Sequence, residues 1–375
     1  MPYDNAVVLV PGFFGFGRIG SFYYFADRVA ATLRGAAEVE FGTPTPVMGV
    51  ATVPAGSLAE RQEFLLDRLT RVDAALGGAR RYHLVGHSAG GVDAELLRAE
   101  SPLAAARWSD LDPRGVRNRL GTITTISSPH YGTRLADSNV VGFLRKPLEH
   151  WTALPETSAL AAQVAKLAIE RPVVREALVA GVQGWFDSAG FVKSLLTDDK
   201  LLGDLNTESM AGLRRERPPA LPVPVTCFVT LVPVEPVVDE NGKRRPDQLF
   251  DWIHTLTGQV LAPLSAGEQS GLDELRRSAR PIVRNPRAEV PRFEPPCNDG
   301  VVNAMCQTIQ GPGARLGGLV LADHGDVIGH YDRQDPLTQG TPINDGVFRS
   351  GAGFGDDQFF ELYGHVARAF HATFD

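Results

Sequence analysis

With 375 residues, 43% of them hydrophobic, the chain can bury a sizeable core, either as one large domain with insertions or as two domains. Its formal net charge of −7 argues against a nucleic-acid binder, which would need a concentrated basic surface. No run of about eighteen apolar residues occurs, which excludes a transmembrane helix, and three cysteines cannot build a disulfide framework.

In chain order, Ala6-Val7-Val8-Leu9-Val10 is a continuous apolar run, expected of a strand buried on both faces. No signal-peptide pattern precedes it, so the chain as it stands is expected to be cytoplasmic, the alternative being the mature form of a secreted protein. The strand ends in Pro11-Gly12-Phe13-Phe14-Gly15-Phe16-Gly17, a glycine- and aromatic-rich loop. A helix is expected from about Ser21, with Phe22, Phe25, Val29 and Leu33 on one face. After an extended segment over Val47–Val53, a second helix carries Leu65, Leu69, Val72 and Leu76 at i, i+4, i+7 and i+11. A strand and helix follow around residues 82–91, then a strand over Thr122–Ile126. Such alternation reads as a mostly parallel central sheet flanked by helices, with right-handed crossovers.

The pattern changes after Ser128-Pro129-His130-Tyr131-Gly132-Thr133. Residues 135–217 carry no strand signal and hold Phe143, Leu144, Trp151, Trp185, Phe186 and Phe191. They are expected to form a helical insertion, read as a lid, inside a core made of residues 1–134 and 218–375. Val223–Val232 returns to a buried strand. A smaller insertion over about 233–296 contains the exposed turn at Asn241-Gly242 and an amphipathic helix over Phe250–Leu264. Lys243-Arg244-Arg245 and Arg276-Arg277 read as solvated surface. Phe359, Leu362, Val366 and Phe370 mark a terminal helix packed on the sheet. The cysteines read as free thiols, with Cys297 and Cys306 close enough in sequence for one bridge.

The chemistry is concentrated in Tyr82-His83-Leu84-Val85-Gly86-His87-Ser88-Ala89-Gly90-Gly91, a G-x-S-x-G turn between a strand and a helix. The turn is so tight that a β-carbon at position 86 or 90 would collide with neighbouring chain. It exposes the Ser88 hydroxyl and aims the Ala89 amide at a substrate carbonyl. Serine needs a base, and that base needs an orienting group. Both should follow Ser88 in loops after later strands, acid before histidine. Of nine histidines, His324 and His330 remain after those in the turn, the insertions and the last helix are set aside. His324 directly follows the apolar run Leu319–Ala322, with Gly325 free to bend the loop; His330 is the reserve. The acid is Asp299, in the turn Asn298-Asp299-Gly300. Asp326 sits too near His324 in sequence to reach behind its ring. Phe13, following Pro11-Gly12, is expected to supply the second oxyanion amide beside Ala89, and Phe14, Phe16 and His87 to line the substrate site.

These pieces, with Leu202-Gly203-Asp204-Leu205-Asn206-Thr207 and Asp323-His324-Gly325-Asp326, resemble the α/β-hydrolase superfamily. Within it they resemble the bacterial triacylglycerol lipases typified by those of Pseudomonas and Burkholderia. The resemblance implies hydrolysis of carboxylic esters by Ser88, Asp299 and His324, oxyanion donors at Phe13 and Ala89, and a lid over residues 135–217 that meets a lipid interface. The aromatic loop and apolar insertion point to medium- or long-chain acyl esters or lipids as substrate. No cofactor is required for such chemistry and no catalytic metal is expected. The family's structural calcium matches this chain at Asp326, while His330 stands where the family has glutamine and no partner aspartate is identified. Pro11-Gly12 replaces the family's His-Gly and is similar to lecithin:cholesterol acyltransferase-like enzymes. Alternatives are therefore a phospholipase, acyltransferase, thioesterase or amidase of the same mechanism, or a non-catalytic binding protein on the same scaffold.

Overall fold

The computed structural model describes residues 3–13, 18–19, 22–99, 113–137, 200–233, 254–255, 257–259, 263–283, 290, 292–331, 333–334, 342–343, 350 and 352–373. Six strands form the central sheet: β1 (Tyr3–Val10), β4 (Val47–Gly49), β5 (Ala79–His87), β6 (Leu120–Ile126), β7 (Val225–Leu231) and β8 (Ala314–Leu321). Two-residue strands β2 (Arg18–Ile19) and β3 (Phe22–Tyr23) pair with each other, as do β9 (Arg333–Gln334) and β10 (Pro342–Ile343). The sheet order is β4-β1-β5-β6-β7-β8, and every neighbouring pair is parallel.

Burial of both faces explains the continuous apolar runs. Val7 and Leu9 of β1, with Val85, Ile126, Phe228 and Val320, face α1 (Asp27–Phe41) and α9 (Asp356–Arg368). Ala6, Val8 and Val10, with Leu84, Ile123 and Val225, face α2 (Leu58–Ala75) through Leu65, Leu66, Leu69 and Val72. Fully burying side chains of this size contributes about 1.5–3 kcal/mol each. A capping box at Ser57 and Glu60 starts α2. The terminal helix packs as its sequence predicts, with Phe359, Leu362, Val366 and Phe370 buried.

Three expectations need correction. The first helix begins at Asp27, not near Ser21, because residues 22–23 pair antiparallel with 18–19 and Phe22 lies in that ribbon. The extended segment after it is a strand only over Val47–Gly49. Beyond β7, a well-formed helix, α8 (Ala266–Ser278), is capped by Ser265 and Glu268 and buries Leu272 and Leu275 against β7 and β8. Arg276 and Arg277 in its last turn are both exposed, as expected of solvated surface, and Arg276 also donates to the Phe293 carbonyl at 3.1 Å. Most of the helix expected over 250–264, and Lys243-Arg244-Arg245, lie outside the described residues.

The stretch 135–217, expected to be an insertion, is described only at its two ends. After the short helix α4 (Pro113–Arg117) and β6, the short helix α5 (Arg134–Asp137) marks one end; α6 (Lys200–Asp204) and α7 (Thr207–Glu216) mark the other. Residues 138–199, which hold the aromatics of the expected lid, lie outside the described residues. The two ends are fastened side by side. Asp137 accepts from the Thr207 amide and hydroxyl, each at 2.8 Å, and the Thr133 amide donates to the Leu205 carbonyl at 3.0 Å. Arg134 pairs with buried Glu268 at 2.6 Å, Asp204 accepts from the Leu58 amide at 2.7 Å, and Arg214 pairs with Glu95 while donating to the His130 carbonyl at 3.0 Å. All three cysteines are free. Among the described residues no helix is long and apolar enough to cross a membrane.

Candidate active site

The strand order reverses on either side of β1, so the carboxyl ends of β1 and β5 flank a topological switch point, where open parallel sheets leave a crevice. Pro11-Gly12-Phe13 leaves β1 there, and Ser88 leaves β5. Ser88 has φ 55° and ψ −133°, a backbone conformation that costs a non-glycine residue roughly 1–3 kcal/mol. The helix α3 (Ala89–Leu96) starts at the next residue. The crowding expected of the turn is present. A β-carbon at Gly86 would come within 2.5 Å of the Gly90 carbonyl and the Gly91 α-carbon, and one at Gly90 within 2.5 Å of the Pro11 carbonyl oxygen. The turn and the loop after β1 are therefore packed backbone to backbone.

Below that contact lies a group that sequence reasoning missed. Arg61 of α2 is fully buried and holds Asp93 of α3, with Nε and Nη2 at 2.9 and 2.7 Å from Oδ2. Its Nη2 also donates to the Pro11 carbonyl at 3.0 Å and its Nη1 to Val53 at 2.6 Å. Burial pushes the Asp93 carboxyl up, and the Arg61 charge opposes that rise. One guanidinium thus joins α2, the helix that follows the Ser88 turn and the loop that carries Phe13. Phe13 itself is half-buried and packs against the apolar cluster that includes Leu58, Ala89 and Leu201. Phe14 and Phe16 lie outside the described residues.

Asp299 and His324 come together although 25 residues separate them. His324 Nδ1 lies 2.9 Å from Asp299 Oδ2, and the His324 amide donates to the Asp299 carbonyl at 3.0 Å. The carboxylate is completely buried and held on both oxygens. Oδ1 accepts from the Val301 and Val302 amides at 3.0 and 2.8 Å, and Oδ2 from the Thr230 hydroxyl at 2.7 Å and Gln307 Nε2 at 3.3 Å. Thr230 stands in β7 and is joined by Ser127 Oγ at 2.6 Å. Ser127, at the end of β6, is the only non-glycine residue besides Ser88 with positive φ among the described residues. Sequence reasoning missed Thr230, Gln307 and Ser127. A threonine inside the apolar run Val225–Leu231 was the available signal; Gln307 left none.

His324 is also near the turn that bears Ser88. The ring of His87, the residue before Ser88, lies 4.6 Å from the His324 ring. His87 is 1% exposed and its Nδ1 is 2.7 Å from the Tyr24 hydroxyl, so the ring expected to line the substrate site is enclosed between Tyr24 and His324. His330, the reserve base, points Nε2 at the Tyr24 carbonyl, 3.0 Å away.

Among the described residues, the carboxylate oxygens around Asp326, where the resemblance allows a calcium, are engaged by the protein's own donors. Asp326 Oδ2 accepts from the Asp323 amide at 2.9 Å. Asp323 Oδ1 accepts from the Gly325 and Asp326 amides at 2.9 and 3.0 Å, and its Oδ2 from the Ser350 hydroxyl at 2.8 Å. Burial pushes the Asp323 carboxyl up to about 7, opposed first by Ser350. A site for calcium needs several free oxygens, and among the described residues no group of three or more acidic, histidine or cysteine side chains is placed to hold a metal. Here the two aspartates shape the histidine loop instead.

No family model matches the chain. It is similar to a triacylglycerol lipase of Pseudomonas fragi, 27% identical over 161 residues, which is 43% of this chain and 47% of that one. The chain thus spans about half the length of the curated relative it matches. Among solved structures it is similar to EstA from Clostridium botulinum, with a TM-score of 0.50 at 15% identity over 99% of this chain and 88% of that one. Lipase 1 from Pelosinus fermentans has a TM-score of 0.48 at 16% identity, covering 98% of each chain. With its parallel sheet, its tight serine turn and its likeness to EstA, the chain has the α/β-hydrolase fold, and in sequence it resembles a bacterial lipase.

Proposed function

We propose that the protein is a serine hydrolase of carboxylic esters, acting on medium- or long-chain acyl groups through an acyl-enzyme. The observation that carries this reading is the 2.9 Å contact between His324 Nδ1 and buried Asp299, set against the turn that bears Ser88. With Nδ1 engaged by the carboxylate, Nε2 is the nitrogen left to take the Ser88 proton. Ser88 Oγ then bonds to the ester carbonyl carbon, and the negative charge that develops on the carbonyl oxygen rests on the Phe13 and Ala89 amides. Collapse of this intermediate breaks the acyl–alkoxy bond, and His324 returns its proton to the leaving alkoxide. Water repeats the sequence, freeing the acid and restoring Ser88. Asp299 orients the imidazole and stabilises the imidazolium without itself taking the proton. The acyl preference is supported by the aromatic loop from Phe13 to Phe16 and by the bulky apolar residues of the 135–217 insertion, read as a lid. Pro11-Gly12 keeps acyl transfer to an alcohol as a second reading.

A panel of p-nitrophenyl esters from acetyl to palmitoyl tests the assignment, with products analysed in the presence of an added alcohol. Hydrolysis should be fastest beyond butyryl, Ser88→Ala should abolish it, and Asp299→Asn should lower kcat by about 10⁴. A maximum at acetyl removes the long-chain assignment. A folded protein whose Ser88 resists fluorophosphonate labelling and that cleaves no ester refutes the enzyme reading.

A further inference from the structure

We propose that Tyr24 and His87 are a positioning pair that ties the oxyanion loop to the histidine loop, Tyr24 fixing which nitrogen of His87 carries its proton. The proposal deepens the ester-hydrolase reading and rests on it. The Tyr24 phenol oxygen lies 2.7 Å from His87 Nδ1 and also receives the main-chain N–H of Gly12, the residue before Phe13. Contact at Gly12 is close: a β-carbon there would collide with the phenol oxygen and come within 2.6 Å of Ser88 Cβ. One hydrogen-bonded run therefore passes from the loop after β1, through Tyr24, to the residue preceding the nucleophile.

In the proposed polarity the phenol donates its proton to His87 Nδ1, and the imidazole keeps its own proton on Nε2. Burial pushes the Tyr24 hydroxyl far above its ordinary range, with the Gly12 N–H and Arg61 opposing and Asp93 adding to the rise; the phenol stays protonated at any working pH. Burial, then the His324 and His330 imidazoles, hold His87 well below the ordinary histidine range, with the His324 carbonyl opposing.

The arrangement separates two neighbouring imidazoles. His87 and His324 lie 4.6 Å apart, tilted by 49°. A charged ring at 87 would repel the imidazolium that forms at 324, and a free Nδ1 would compete with His324 for a proton. Tyr24 occupies Nδ1, and His324 remains the base. The same phenol anchors Gly12, so the loop that presents the Phe13 amide is set by the group that sets His87.

The test uses the full chain and four variants: Tyr24→Phe, His87→Leu, the double variant of these two, and His87→Asn. Phenylalanine keeps the edge-on contact of ring 24 with Phe25, 5.2 Å between centroids, so the fold should persist. Nitrogen NMR on ¹⁵N-histidine protein should show His87 protonated on Nε2 alone, and that single form should be lost in Tyr24→Phe. Each single variant should lower kcat for a p-nitrophenyl ester by about tenfold, less than outright loss of an oxyanion donor, with KM within about twofold. The double variant should fall no further than the worse single one, because both remove one link. His87→Asn, which keeps an acceptor near the Nδ1 position, should retain more activity than His87→Leu. Wild-type His87 protonated on Nδ1, or independent losses in the double variant, overturns the proposal. A wild type with the expected tautomer but no ester hydrolysis leaves the hydrogen-bonded link standing and overturns the reaction.

Discussion

Thr230→Val puts the acid's support to the most direct test. Valine matches threonine in shape but deletes the hydroxyl that lies 2.7 Å from Asp299 Oδ2 and 2.6 Å from Ser127 Oγ. The backbone at 230 is unaffected, since its amide and carbonyl bond Gln307 at 2.7 and 2.9 Å. A hydrogen bond to a charged acceptor contributes about 1.5–3 kcal/mol, and a buried hydroxyl left unpaired costs about 1–3 kcal/mol. The second cost falls on Ser127 and lowers stability. The first falls on the orientation of the carboxylate behind His324. If Asp299 steadies the imidazolium, kcat/KM should drop about 10- to 100-fold, one decade for every ~1.4 kcal/mol. Thr230→Ser, which keeps the hydroxyl, should stay within about threefold of the wild type. The assay is steady-state hydrolysis of a soluble p-nitrophenyl ester, run beside urea unfolding to separate the two costs. A folded Thr230→Val protein with kcat/KM within twofold of wild type would refute the reasoning, because the hydroxyl would then have no part in holding the catalytic acid.

Gly90→Ala should destabilise the fold by roughly 2–3 kcal/mol or more, because its β-carbon meets backbone at Val10 and Pro11 that cannot swing aside. Gly35→Ala, on the exposed side of α1 with nothing within 4 Å of the new carbon, should instead stabilise by up to ~1 kcal/mol in the same urea titration. His83 is enclosed by Thr122 and Asn5, and burial, aided by the Arg81 charge, pushes it down to about 3. The unfolded chain therefore takes up a proton near pH 6.5 that the native state refuses until about pH 3. Stability from this group is whole above pH 6.5 and falls as pH drops through that window, by about 1.4 kcal/mol per unit; His83→Gln should remove that slope from unfolding measured between pH 6 and 4. Chelation by EDTA should leave both ester hydrolysis and the melting temperature unchanged, since the oxygens near His324 are engaged by amides and Ser350; a fall of several degrees would overturn that reading of the loop.

How much was legible beforehand depended on whether a residue's role was local. The strand ending at His87, the tight turn and the helix after it follow from apolar runs and paired glycines, which act within a few residues. The Asp299–His324 contact was reachable because chain order and loop position narrowed nine histidines to two. By contrast Arg61 looks like any polar residue of an amphipathic helix, and only the fold brings it under Pro11. Tyr24 was hidden because the first helix was expected to begin near Ser21, which put this residue inside it. Gln307 reaches Asp299 from a short turn whose sequence, Ala304-Met305-Cys306-Gln307, advertises nothing. The helix over 266–278 had a readable start in Ser265 and Glu268, but attention to Arg276-Arg277 as surface charge obscured it.

The fastening of Asp137 to Thr207, and of Thr133 to Leu205, has a bearing on how this protein varies through evolution. Chain that departs and re-enters at one clasp can grow or shrink cheaply: halving or doubling the 138–199 segment changes the entropy of closure by only about 0.6 kcal/mol. The clasp itself is anchored to α2, α3 and α8, and also to the loop bearing Asp299, where the Thr133 hydroxyl donates to the Val301 carbonyl and the Arg134 amide to Asn303 Oδ1 at 3.3 Å. Length and composition can therefore change between those two fastened ends while the clasp keeps its hold on the core, and a change in the clasp itself would be felt at the Asp299 loop.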